Sequence, residues 1–327
     1  MAVRYAVGVD VGATKILAGV IDCQTGEVAG TAKLPSPTGG AEGLLEEIQQ
    51  GIADAMRDAP KDVAKKVERI GLGVAGQVDT DRGVLLGAPN LGGGITSTLD
   101  LGKPLERKFG TRIVVGNDVE AAALGEARFG AGRGKKLFAC VFVGTGIGGA
   151  LMVNGERFRG ASGSAGEIGH LTVHAGGRLC GCGQRGHLEA YASRTAIVAM
   201  LREEVEAGTE SSIRDILLDT SQRVKSKPLS VAVAEGDLLV TRVMGDAALY
   251  LGMGLAALIN LWNPERIVLG GGVIDRIDLL FNSAADHARR MSLAAPAEHV
   301  DIVRAELGDN SGMVGAALLG EDRGGKK

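Results

Sequence analysis

YAVGVDVGATKILAGVID at residues 5–22 and LFACVFVGTGIGGALMV at residues 137–153 decide the fold, because they are one device written twice. Each opens on a run of apolar and β-branched residues, breaks at a glycine turn and resumes as a second strand. The segments VDVGAT at 9–14 and VFVGTG at 141–146 align without a gap. A duplicated strand–turn–strand predicts a chain made of two related halves.

Working outward, further strands are expected over 27–34, 70–75, 113–115, 267–269 and 300–303. Residues 41–56, AEGLLEEIQQGIADAM, repeat their apolar positions near 3.6 and carry acids in the first turns, so they read as a helix. Helices are also expected over 118–129, capped by Asn117 or Asp118, and over 193–206, 213–218, 238–261, 275–290 and 311–319. Strands and helices alternate, which makes the class α/β.

The chain has 327 residues, enough for two domains or one large one with a substantial core. Net charge is −3 and no basic block stands out, so nucleic acid is not the expected partner. Four cysteines are too few for a disulfide framework, and a reducing cytoplasm fits them. The N-terminus enters a strand pattern at once, so neither a signal peptide nor a helix-turn-helix is expected ahead of it. The most apolar segment, 249–261, contains Asn260 and is too short to span a bilayer, so no membrane association is expected.

The densest chemistry lies at 167–189, EIGHLTVHAGGRLCGCGQRGHLE. Thiolate and imidazole suit zinc, and four ligands can be counted: His170, Cys180, Cys182 and His187. Glu167 and Glu189 flank them as acceptors of the kind that grip sugar hydroxyls. The set reads as a zinc-pinned loop forming the floor of a polar pocket. Three other readings stand beside it: an inert Cys-Gly-Cys turn with surface histidines, a secreted disulfide scaffold, and a catalytic zinc. A filled tetrahedron leaves no position for a metal-activated water.

GTGIGG at 144–149 matches GxGxxG, but an apolar strand follows where a dinucleotide fold needs a helix. No Walker A sequence is present. What remains is a bare glycine turn, Gly144, Thr145, Gly146, whose N–H groups and threonine hydroxyl can approach phosphate, and Gly12 and Thr14 repeat it; the alternative is a plain hairpin. Asp10, at the end of the first strand, can hold Mg²⁺ through water or cap its own turn. Asp118 can take a hydroxyl proton or serve as a helix cap. Asn90 is an amide in a proline turn.

These residues resemble the ROK (repressor, ORF, kinase) family of sugar kinases, most closely its bacterial glucokinases. GVDVGATK (8–15), GVAGQVD (73–79), APNL (88–91), GNDVEAAALGEARFGAG (116–132), GTGIGGAL (144–151), ASGSAGEIGH (161–170), CGCGQRGHLE (180–189) and GGGV (270–273) run in the family's order. The resemblance implies an actin-like ATPase fold of two ribonuclease-H-like α/β domains with a cleft between them. Residues 1–117 with 309–327 would form the small domain, and 118–308 the large one with the zinc loop. It implies ATP and Mg²⁺ as cofactors, a structural Zn²⁺, and Asp118 as catalytic base. It places Asn90, Asn117, Glu167, His170 and Glu189 around a hexose, glucose favoured. Gly12, Thr14, Gly144 and Thr145 fall near the phosphates, and Gly270, Gly271 and Gly272 near the adenosine. A homodimer or homotetramer is implied.

Three positions depart from the family pattern. His187 stands where the motif ends in cysteine, Ala75 replaces a usual proline, and Glu120 occupies a frequent asparagine position. The alternatives are a kinase for another sugar, such as N-acetylmannosamine or fructose, a polyphosphate donor, and a sugar-sensing repressor.

Overall fold

A computed structural model of the chain describes residues 4–37, 40–88, 91 and 94–321. β1 (Tyr5–Val11) and β2 (Lys15–Asp22) form the first hairpin, with Val11 opposite Ile16. Both are buried along nearly their whole length, which is why their apolar residues run continuously instead of alternating. β3 (Val28–Pro35) forms the edge, with one wet face. α1 (Gly40–Asp58) buries Leu44, Ile48, Ile52 and Ala55, one stripe of a 3.6-residue repeat, against the hairpin strands. Then come the single-turn α2 (Lys61–Ala64) and β4 (Val67–Val74). β5 (Gln77–Asp79), β6 (Val84–Gly87) and β7 (Leu99–Asp100) form a small antiparallel sheet of their own. α3 (Gly102–Phe109) leads to β8 (Arg112–Asn117), which runs directly into α4 (Asp118–Phe129).

The second half repeats the opening with β9 (Leu137–Val143), β10 (Ile147–Val153) and the two-residue β11 (Glu156–Arg157). After a 3₁₀ turn at Ile168–His170 and the Cys/His loop come α5 (Glu189–Ala192), α6 (Arg194–Glu206), α7 (Arg214–Leu218), α8 (Ser226–Ala234) and α9 (Leu238–Trp262). β12 (Arg266–Gly270), α10 (Asp278–Met291), α11 (Ala294–His299), β13 (Asp301–Arg304) and α12 (Ser311–Leu318) complete it.

The two large sheets share one topology. Their orders are β3-β2-β1-β4-β8 and β11-β10-β9-β12-β13. In each, the first strand sits at the centre and the fourth and fifth add in parallel on one side. The duplication expected from the two hairpins is therefore a repeat of the whole sheet.

Contacts group the chain into two units, Met1–Lys136 with Ala150–Phe158 and Ala305–Lys327, and Leu137–Gly149 with Arg159–Arg304. The boundary expected at 117/118 falls inside the first unit. Close packing of α4 on α12 holds it there: a Cβ on Gly315 would stand 1.6 Å from the Ala121 carbonyl oxygen. Glu126 ties the same helices together. Its fully buried carboxylate accepts from the Ala131, Glu306 and Leu307 N–H groups and from the Ser311 hydroxyl, at 2.7–3.1 Å.

Several elements were not expected from the sequence: α2, α3, α8, α11, β11 and the small three-stranded sheet are too short to show a period. β10, which the apolar run over 150–153 alone would start at Ala150, begins at Ile147, and α10 begins at Asp278 rather than at 275. α9 also corrects the length argument about membranes. It is one 25-residue helix, long and apolar enough to cross a bilayer by those criteria, yet 56% of its most apolar window is buried and it packs along α10.

Candidate active site

In the second unit the Cys/His loop closes on itself. The ligand atoms of His170, Cys180, Cys182 and His187 lie within 4.8 Å of one another. His170 Nδ1 is 3.3 Å from His187 Nδ1, Cys182 Sγ is 3.2 Å from His187 Nδ1, and Cys180 Sγ is 3.9 Å from His170 Nδ1. A tetrahedral zinc spaces nitrogen pairs about 3.3 Å apart and nitrogen–sulfur pairs about 3.6 Å apart, so the donor set fits such an ion. His187, the departure from the family pattern, brings its Nδ1 into the same cluster.

His174 takes no part in this cluster. It stacks on Tyr191 and Tyr250, which stack on each other at 4.1 Å, and its Nδ1 lies 3.1 Å from the Tyr250 hydroxyl. The Tyr191 hydroxyl in turn accepts from the Arg178 N–H at 2.6 Å. An aromatic stack thus props the loop from beneath. Glu167 is exposed, one step before the 3₁₀ turn whose His170 N–H donates to its carbonyl at 3.1 Å.

Glu189 joins this loop to the glycine turn. One carboxylate oxygen accepts from the Ile147 N–H at 2.8 Å, and the other lies 3.8 Å from the Cys180 Sγ. Burial pushes the Cys180 thiol up to about 11, and the Glu189 charge adds to that. The same carboxylate packs on Gly146, where an added Cβ would sit 2.3 Å from it and push it off the Ile147 N–H. At Gly144 an added Cβ would meet nothing within 4 Å, so that side of the turn is open.

The start of α6 is stitched to this turn. Arg194 N–H donates to the Gly144 carbonyl at 2.9 Å, Thr195 Oγ1 to the Thr145 carbonyl at 2.8 Å, and the Arg194 guanidinium to Thr145 Oγ1 at 2.8 Å. No sequence pattern pointed to Arg194. The turn at Gly270, Gly271 and Gly272 lies beside the first: a Cβ on Gly271, whose φ is +95°, would stand 2.5 Å from the Val143 carbonyl oxygen.

In the first unit, Asp10 is the next-to-last residue of β1, just ahead of Gly12 and the exposed Thr14. The Gly12 N–H donates to the Lys15 carbonyl at 3.1 Å and closes the turn. The Asp10 carboxyl is enclosed by the backbone at Gly312, where a Cβ would come within 2.7 Å of its Cγ. That enclosure lifts its pKa from 3.8 to about 7, the Asp118 charge adds to the rise, and Lys15 opposes it. Two neighbouring carboxylates of this kind suit a divalent cation. Lys15 Nζ is itself held 2.9 Å from Asp309.

The cap of α4 is Asn117, not Asp118. Asn117 Oδ1 accepts from the Val119 and Glu120 N–H groups at 2.9 and 3.2 Å, while its Nδ2 donates to the Gly76 carbonyl at 3.1 Å. Asp118 is thereby released from capping and stands in the first turn, and Asn117 keeps one amide hydrogen for a ligand. Glu120 forms an ion pair with the nearly buried Arg157, which accounts for an acid at that position. Asn90 lies outside the described residues.

A profile of the ROK family matches residues 6–323. The chain is 35% identical to a glucokinase of Streptomyces coelicolor over 321 residues, 97% of either protein. It is 29% identical to the DNA-binding transcriptional repressor Mlc of Escherichia coli, over 78% of this chain and 62% of that protein. The crystal structure of a ROK family glucokinase from Streptomyces griseus in complex with glucose and AMPPNP matches with a TM-score of 0.83 and 36% identity, covering 96% of this chain and 98% of that one.

Proposed function

The chain belongs to the ROK family and is an ATP-dependent sugar kinase of the two-domain actin-like α/β fold, and from this premise we propose that it converts glucose to glucose 6-phosphate with Asp118 as general base. The observation that carries the choice of sugar is the full-length similarity to glucokinases, at 35% identity over 97% of both proteins.

Asn117, Glu167, His170 and Glu189 bind the hydroxyls of the sugar. Glu189 has lone pairs left beyond its bond to Ile147, since a carboxylate accepts up to about four hydrogen bonds. His170, Cys180, Cys182 and His187 would hold zinc, which supplies no chemistry beyond fixing the loop. With Nδ1 of His170 turned to that cluster, Nε2 is left to meet a sugar hydroxyl. Asp10 would hold Mg²⁺ through water, where the ion offsets the charge of the phosphates. The Asp118 carboxylate takes the proton of the 6-hydroxyl as that oxygen bonds to the γ-phosphorus, the bond from phosphorus to the β–γ bridging oxygen breaks, and ADP leaves. We place the enzyme in the cytoplasm as a homodimer or homotetramer, which light scattering on the purified protein checks.

The test is a panel of hexoses with ATP, read as ADP release. Glucose is expected to exceed N-acetylmannosamine and fructose by about tenfold or more in kcat/KM. A higher value for either competitor overturns glucose as the substrate. Sugar binding without ADP release, for every sugar, makes the chain a sensor of the Mlc type.

A further inference from the structure

We propose that Arg157 is a positioning residue for the reaction: its buried ion pair with Glu120 clamps the first turn of α4 and so fixes where the Asp118 carboxylate stands. The purpose of the clamp rests on the reading of Asp118 as general base; the clamp itself rests on the following geometry.

The turn that carries Asp118 is held from three directions. Gly73 of β4 approaches it so closely that a Cβ there would stand 2.9 Å from the Ala121 Cβ and 3.3 Å from the Asp118 Cα. Asn117 Oδ1 accepts from the Val119 and Glu120 N–H groups, while its Nδ2 donates to the Gly76 carbonyl. The third hold is Arg157, whose Nη1 donates to Glu120 Oε2. Residues two apart on a helix do not face each other. Glu120 therefore reaches Arg157 from a side of the turn that Asp118 does not use, and the pair acts on Asp118 through the backbone of the turn. Further along, Glu126 ties α4 to Ser311 at the start of α12. Arg157 does the same for the end that carries the base.

Arg157 is itself fixed. It lies in β11 opposite Met152 of β10, and the Phe158 N–H donates to the Leu151 carbonyl at 2.8 Å. Residues 150–158 belong to the same unit as α4, so the clamp is complete within it. The Arg157 side chain is 4% exposed and that of Glu120 19%. Burying a guanidinium is costly, and its attraction to a carboxylate does little more than offset that cost. What the pair adds is direction. A planar guanidinium meets a carboxylate in few geometries, whereas apolar packing would let the turn slide. A base needs that constraint, since a shift of about 1 Å can cost on the order of 10²-fold in rate.

The test uses the full chain and five variants: Arg157→Met, Arg157→Lys, Glu120→Gln, Asp118→Asn, and Asp118→Asn combined with Glu120→Gln. Melting temperature, kcat, and KM for ATP and for the hexose turned over fastest are measured for each. Arg157→Met and Glu120→Gln are each expected to lower kcat about tenfold with both KM values within about twofold. Arg157→Lys keeps the charge and should recover part of the loss. Glu120→Gln keeps the shape of the side chain and carries the comparison if Arg157→Met does not fold. In the Asp118→Asn background, Glu120→Gln is expected to change kcat by less than about twofold, because no base is left to misplace. A pair with only a structural role would lower kcat equally in both backgrounds, or raise both KM values as the melting temperature falls. Either result overturns the proposal, as does unchanged kcat in both Arg157→Met and Glu120→Gln while Asp118→Asn loses turnover. Near-normal turnover in Asp118→Asn overturns the base reading and the proposal with it.

Discussion

The Glu189 carboxylate accepts a 2.8 Å hydrogen bond from the Ile147 N–H, 42 residues away, while its second oxygen lies 3.8 Å from the Cys180 Sγ. One side chain thus couples the glycine turn to the Cys/His loop. Glu189→Ala is expected to raise KM for both hexose and ATP, each by about tenfold, because misplacing either site by a fraction of an ångström is costly. A rise in hexose KM alone would make Glu189 a sugar ligand without the coupling.

Asp118 stands in the first turn of α4 with the capping duty taken by Asn117. Asp118→Asn is therefore expected to leave the helix and the sugar affinity intact and to cut kcat by about 10²-fold or more. Circular dichroism, sugar calorimetry and steady-state kinetics check the three parts. Near-normal turnover removes Asp118 from the role of base.

The Cys/His cluster is expected to carry one zinc per chain, measured by elemental analysis. His187→Ala should lower the zinc content and raise hexose KM about tenfold, whereas His187→Cys should keep the metal. Chelation is expected to weaken hexose binding before ATP binding. Intact sugar affinity in a metal-free chain contradicts the role given to the loop.

Glu126 receives four hydrogen bonds in a fully buried position between α4 and α12. Glu126→Ala strands those donors and should lower unfolding stability by about 3 kcal/mol, read from urea denaturation. A change below about 1 kcal/mol would mean that water replaces the carboxylate there.

Asp10 gives a pH dependence. Its folded pKa, about 7, lies above the usual carboxylate value, so the folded state binds its proton more tightly than the unfolded chain does. Stability from this group is fully present below about pH 4 and is lost as pH rises through about 7. In Mg²⁺-free buffer the wild type should lose stability between pH 5 and pH 8 relative to Asp10→Asn. Parallel profiles for the two proteins would show that the carboxyl is not held protonated.

Local pattern was enough to read the two hairpins, the long helices, the α/β class and the cluster of two cysteines and two histidines, which lies within 18 consecutive residues. Side-chain period, turn glycines and short ligand spacing are properties of neighbouring residues, so they survive in a linear string. Only the folded chain assigned the cap to Asn117 rather than Asp118, turned His174 into an aromatic prop, and packed Glu189 on Gly146. It alone brought Arg194 to Thr145, paired Arg157 with Glu120, and joined Glu126 to Ser311 across 185 residues. Each of these depends on which surfaces pack together, and burial and hydrogen bonding between distant segments are set by that packing, not by any periodicity along the chain.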